Sequence, residues 1–127
     1  MLEKDYIMRL VREFGEAVAL LLNKSVRKQQ EEIQHMYNGY VGPYEFYHTA
    51  ALEDVMDSFG QFPEDERLPR MEMLARLYYV EADLKTGPMR RMLLDKALAL
   101  FMFVDRHDKT YDMDRIAKIS DLKQRLG

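Results

Sequence analysis

Cysteine is absent from the 127-residue chain. That excludes disulfides, thiolate chemistry and cysteine-ligated zinc, and it fits a reducing, cytoplasmic setting. Long apolar runs are also missing: the longest, Ala97 to Val104, covers eight residues, whereas a bilayer span needs about 20. The opening Met1 to Asp5 carries charges of both signs with no apolar run behind it, unlike a secretory leader. Between Glu31 and Glu66 there are nine acidic residues and no lysine or arginine. Where basic residues do collect, from Lys85 to Gly127, aspartates are interleaved with them. Counterion release needs a concentrated basic surface, so this pattern speaks against nucleic acid, as the missing span speaks against a membrane. No strand-like alternation, phosphate-cradling glycine loop or nucleophile elbow occurs, which disfavours an enzyme and calls for no cofactor.

What is present is helical periodicity. Arg67 to Asp108 reads as two long helices joined at Thr86-Gly87-Pro88. Met71, Leu74, Ala75, Tyr78 and Ala82 mark one face of the first, and Leu77, Val80 and Leu84 widen it. Glycine can end that helix at positive φ, and proline suits the first turn of the next. The link is short enough to force antiparallel packing. The second helix holds the apolar run and is apolar on all sides, so it is either the core or an interface.

Upstream, Ile7, Leu10, Val11, Phe14, Val18 and Leu21 form a stripe. Gly15 within it suggests a close helix–helix contact. Val26, Ile33, Met36 and Tyr37 keep the phase, so this helix runs to Asn38 and ends at Gly39, unbroken or bent near Asn23 to Ser25. Gly42-Pro43 opens a further helix with Phe46, Ala50, Val55, Met56 and Phe59 near one face, and Gly60 is its C-terminal stop. Asp112 is the expected N-cap of a last helix carrying Met113, Ile116, Ile119, Leu122 and Leu126. The expectation is one all-α domain over 1–127 with five or six helices: about 4–38, 43–59, a hairpin over 66–108, and 112–125.

Two stretches have familiar shapes. Asp5-Tyr6-Ile7-Met8-Arg9-Leu10-Val11, with Phe14 behind it, resembles the opening of a family of small bacterial all-helical proteins of unknown function. Leu77-Tyr78-Tyr79-Val80-Glu81-Ala82, Gly87 and Lys96-Ala97-Leu98-Ala99-Leu100-Phe101 resemble the tetratricopeptide-like hairpin that follows in that family. The resemblance implies a fold with a central tetratricopeptide-like hairpin; since that family has no assigned activity, it adds almost nothing about function. No second copy occurs at the 34-residue period of such repeats, and one unit alone does not build their peptide groove.

The segment His35 to His48 gathers Tyr37, Tyr40, Tyr44, Phe46, Tyr47 and two histidines. Tyrosine has an apolar body and a polar tip, which suits packing at a bundle end, a partner surface or a ligand cleft. Two Glu-x-x-His pairs, Glu32/His35 and Glu45/His48, have the spacing used in carboxylate-bridged metal bundles, with Glu13, Glu16 and Glu81 as further carboxylates. Only a turn separates the pairs, which argues against joint ligation. His107 suits the carbonyl end of its helix. On the apolar helix, Met102 and Phe103 are hard to bury within one chain, so a homodimer is expected there. The favoured function is a non-catalytic protein–protein interaction module with an unidentified protein partner. A metal or small-ligand binder at 35–48 is the alternative.

Overall fold

The computed structural model describes residues 3–127, with side chains from Asp5 onward; the mixed-charge opening therefore lies largely outside the described residues. Seven helices occur among them: α1 Glu3–Leu22, α2 Val26–Tyr40, α3 Tyr44–Thr49, α4 Leu52–Ser58, α5 Glu64–Ala82, α6 Gly87–His107 and α7 Met113–Leu126. A 3-10 turn, Phe59–Gln61, follows α4, and no strand appears among the described residues. No described helix is long and apolar enough to cross a membrane.

The count exceeds the expected five or six because two predicted helices divide. The first breaks at Asn23 to Ser25, where the Ser25 side chain accepts the Lys28 amide at 3.3 Å and so caps α2. Gly39 does not end α2, which continues to Tyr40. The second divides at Ala50 and Ala51, both extended. Neither residue breaks a helix by propensity. The cause is distant: Lys96 on α6 donates to the carbonyls of Tyr47 (3.2 Å), His48 (3.3 Å) and Ala50 (2.8 Å), fixing the end of α3. Gly60 lies in the 3-10 turn and has no positive φ.

α5 is the central helix, packed against α6, α1, α2 and the 3-10 turn. Its first turn holds Glu64, Asp65 and Glu66, favourable against the helix N-terminus. Pro69 sits beyond that first turn, because α5 starts earlier than the expected position 66. Leu74, Ala75, Leu77, Tyr78 and Ala82 are fully buried. The helix covered on most sides is thus α5, not α6. On α6, Ala97, Leu100, Phe101 and Val104 are buried, while Leu98, Ala99, Met102 and Phe103 are half-buried. α5 ends at Ala82 before Gly87 is reached, and Arg90 Nε bonds the carbonyls of Ala82 (3.0 Å) and Lys85 (2.8 Å). Gly87, at φ +59°, opens α6.

α1 buries Ile7, Phe14, Val18 and Leu21. Val11 from the expected stripe is exposed, and a Cβ built on Gly15 meets nothing within 4 Å. The close intrachain contact expected at Gly15 does not exist. α7 is capped by Asp112, which accepts the Arg115 amide at 3.0 Å. Its inner positions are Arg115 and Leu122; Met113, counted in the stripe, is 75% exposed.

Candidate functional site

Three arrangements could carry chemistry or recognition. The first forms where the Tyr/His segment folds onto α5. α2 brings Tyr37 inward, the turn at Gly42-Pro43 reverses the chain, and α3 returns Tyr44, Tyr47 and His48 to the same place. Gly42 is required there, because a Cβ would stand 2.8 Å from the Tyr47 ring. Glu81, 1% exposed, is the centre. Tyr37 donates its hydroxyl to Glu81 Oε1 at 2.7 Å, and Tyr44 donates to Oε2. His48 Nδ1 lies 3.4 Å from Oε2 and 3.2 Å from the Tyr44 hydroxyl, its ring stacked on that of Tyr44. Nearby, Tyr78 donates to the Tyr47 carbonyl at 2.5 Å, and the Lys96 ammonium lies 5.1 Å from the Tyr78 ring centre.

The electrostatics follow from this sealing. Burial, then the adjacent Glu81 charge, pushes the Tyr37 hydroxyl well above the ordinary phenol range. Tyr44 and Tyr78 are raised for the same leading reason. Burial lowers Lys96, with Glu81 pulling the other way. Burial thus keeps these tyrosine hydroxyls protonated as hydrogen-bond donors. Both carboxylate oxygens accept hydrogen bonds from within the chain, so the arrangement ties α2 and α3 to α5.

The second arrangement centres on Arg115, which the helical pattern of α7 did not reveal. Its side chain is 1% exposed. It bonds Glu72 on α5 at 3.0 Å, Asp105 near the end of α6 at 3.2 Å, Asp108 at 3.3 Å and the Thr110 carbonyl at 2.9 Å. Burial alone would lower the guanidinium, but Glu72, Asp105 and Asp108 outweigh it and raise its pKa. Burial raises the Glu72 carboxyl, partly offset by Arg115. This cluster fixes the α6–α7 connection against α5. Tyr79 adds a tie to α7 through Asp121 at 2.5 Å, and burial raises its hydroxyl to about 12.

The third is a cleft of about 630 Å³ between α1, the first half of α5 and the α6–α7 connection. Met8, Val11 and Phe14 line one side, and Leu68, Pro69 and Met73 the other. Arg76 also lines it, with the guanidinium 5.5 Å from the Phe14 ring centre. Six carboxylates stand around it, from Glu64, Asp65, Glu72, Asp108, Asp112 and Asp114, of which Glu72 and Asp108 are paired with Arg115 and Asp114 with Lys118. Met8 is 60% exposed and Val11 43%. Tyr111 and Met113, each 75% exposed, neighbour its lining residues in sequence.

The residues singled out from sequence divide accordingly. Tyr37 and Tyr47 are interior, at 0% and 1% exposure, so neither presents a surface. Tyr44 is half-buried on Glu81, and Tyr40 is half-buried with its ring edge-on to Phe14 at 5.0 Å. Met102 and Phe103 are half-buried as well, and Phe103 stacks on His107 at 4.1 Å. His107 donates to the Phe103 carbonyl at 2.8 Å near the α6 C-terminus.

Glu32 pairs with Lys24 at 2.7 Å, His35 and Glu45 are exposed, and His48 faces Glu81. Among the described residues no group of three or more His, Asp or Glu comes together to hold a metal. Exposed Val11 was read as core because it falls within the α1 stripe, and Met8, also exposed, lay outside that stripe; the signal was that the apolar positions of α1 are wider than one buried face. Compared with protein-family models, curated proteins and solved structures, the chain finds no match in any of the three.

Proposed function

We propose that this chain is a non-catalytic helical module that binds a protein segment along the cleft between α1, α5 and the α6–α7 connection. The observation that carries this reading is the mismatch of residue and environment there: Met8 and Val11 stand exposed on an apolar wall ringed by carboxylates. A contiguous exposed apolar surface with a polar rim is the usual form of a protein contact. An apolar floor takes the inward face of an amphipathic helix, and an acidic rim selects basic flanks.

The alternative, a ligand or metal bound by the Tyr/His segment, finds less support, because Tyr37, Tyr44 and Tyr47 are already engaged inside the chain. The test is amide-shift mapping by NMR during titration with a designed leucine/lysine amphipathic helix, with a leucine/glutamate helix as control. The reading predicts shifts at 8–14, 64–76 and 104–114 with the basic peptide and little response to the acidic one. Equal responses to both, or to neither, would remove it.

A further inference from the structure

The turn between α1 and α2 is a second place where apolar side chains stand in water. Phe14 meets Tyr40 ring to ring at 5.0 Å, so α2 returns alongside α1 and the turn is the end of a helical pair. Every residue from Leu22 to Lys28 is exposed. Leu20, Leu22 and Val26 are 65%, 56% and 59% exposed. Single exposed aliphatics are ordinary, but three so close together form a patch. Residues two apart on a helix point about 200° apart, so Leu20 and Leu22 leave α1 on opposite sides. The turn is therefore apolar on both flanks. A helix or strand of another protein laid along one flank covers one leucine and leaves the other in water. A lipid interface surrounds an inserted turn on every side.

Charge selects the kind of lipid. Lys24, Arg27 and Lys28 occupy the same turn, with side chains 42%, 86% and 63% exposed. Their carboxylate partners, Glu32 at 2.7 Å from Lys24 and Glu31 at 3.4 Å from Arg27 and 3.8 Å from Lys28, lie further along α2. Such surface pairs contribute little and are readily exchanged for phosphate. A basic cluster is drawn to an anionic bilayer, and long basic side chains reach its phosphates while their stems lie on apolar surface. That no described helix can cross a membrane concerns crossing, not contact with its surface. We propose that the α1–α2 turn is a membrane-contact site: Leu20, Leu22 and Val26 enter the headgroup–acyl boundary of an anionic bilayer, and Lys24, Arg27 and Lys28 bind its phosphates.

Co-sedimentation of the full chain with phosphatidylcholine vesicles, with and without phosphatidylglycerol, tests it. The wild type is expected to sediment with the anionic vesicles alone and to be released by high salt. Lys24→Gln, Arg27→Gln and Lys28→Gln together should weaken binding by about tenfold. Arg106→Gln, Lys109→Gln and Lys123→Gln, the same charge change at exposed positions elsewhere, should weaken it far less. The chain contains no tryptophan, so Val26→Trp reports insertion by itself. Its emission should shift to the blue with anionic vesicles, and that of Met113→Trp, also at an exposed position, should not. Circular dichroism should be unchanged in every variant, since each replaced side chain is exposed. Failure to sediment, equal sedimentation with both vesicles, equal losses in the two glutamine triples, or an unshifted Val26→Trp would each overturn the proposal. The cleft is tested separately by the leucine/lysine peptide, whose binding at 8–14 and 64–76 does not depend on the turn.

Discussion

The interior around Glu81 and the outer side of α1 are opposite cases of the same mismatch. At Glu81, polar residues that look reactive in sequence are enclosed, and their hydrogen-bonding capacity is matched within the chain. On α1, apolar residues that look like core are left in water. The informative observation in a folded protein is a buried polar group or a sizeable exposed apolar patch. Here the first is matched within the chain, and the second is the surface proposed above for recognition. Substitutions inside should therefore change stability, and substitutions outside should change association alone.

The largest effect is expected from Arg115→Met. It leaves Glu72, Asp105 and Asp108 facing one another without their cation. Removing one member of a buried ion cluster costs about 3–5 kcal/mol. These carboxylates are partly exposed, which screens them, so the low end of that range applies. Urea unfolding checks it, and a change below about 1 kcal/mol would show that the cluster is decorative.

Tyr37→Phe should cost less, roughly 1.5–3 kcal/mol for one hydrogen bond to a charged group. It also sharpens the comparison through pH. Tyr37, Tyr44 and Tyr78 have hydroxyls raised in the folded state, while in the unfolded chain they ionise near the ordinary value of about 10. A raised folded pKa gives stability that is fully present below the unfolded pKa and lost as pH rises through the folded one. The unfolding midpoint should therefore hold from neutral pH until tyrosine begins to ionise, then fall on the alkaline side. Tyr37→Phe should make that fall shallower. An alkaline limb of equal slope in both proteins would disconnect Tyr37 from it.

Gly42→Ala should cost about 1–3 kcal/mol by forcing the Tyr47 ring aside. Met8→Lys, by contrast, should shift stability by no more than about 0.5 kcal/mol, as exposed substitutions do. It should nonetheless weaken any contact made through the cleft, because it places a charge on an apolar wall. A substantial loss of stability from Met8→Lys would mean that α1 is held there more tightly than its exposure indicates.

Helix type and phase were legible because local periodicity carries them: the α6 and α7 starts and the Asp112 cap follow from the sequence. What long-range contacts decide was not. Nothing local marks Ala50 as a helix end, since the deciding group is Lys96, far along the chain. Arg115 carried no signal in the sequence, because its three carboxylates come from α5, the end of α6 and the connection that follows. Gly15 suggested a close helix–helix contact, yet no atom stands within 4 Å of a Cβ built there, because a glycine inside a helical stripe does not say which face of the helix is covered. The clustering of tyrosines in 35–48 was visible. That two of them, Tyr37 and Tyr44, meet on Glu81 was not, since Glu81 was one candidate carboxylate among several.

The distinction between a sealed polar interior and an open apolar face is tested most directly by amide-shift mapping with the leucine/lysine helix. The account predicts shifts confined to 8–14, 64–76 and 104–114, abolished by Met8→Lys while the amides of 37–48 and Glu81 stay in place. Shifts centred on Tyr37, Tyr44, His48 and Glu81, with the α1 face unmoved, would contradict it.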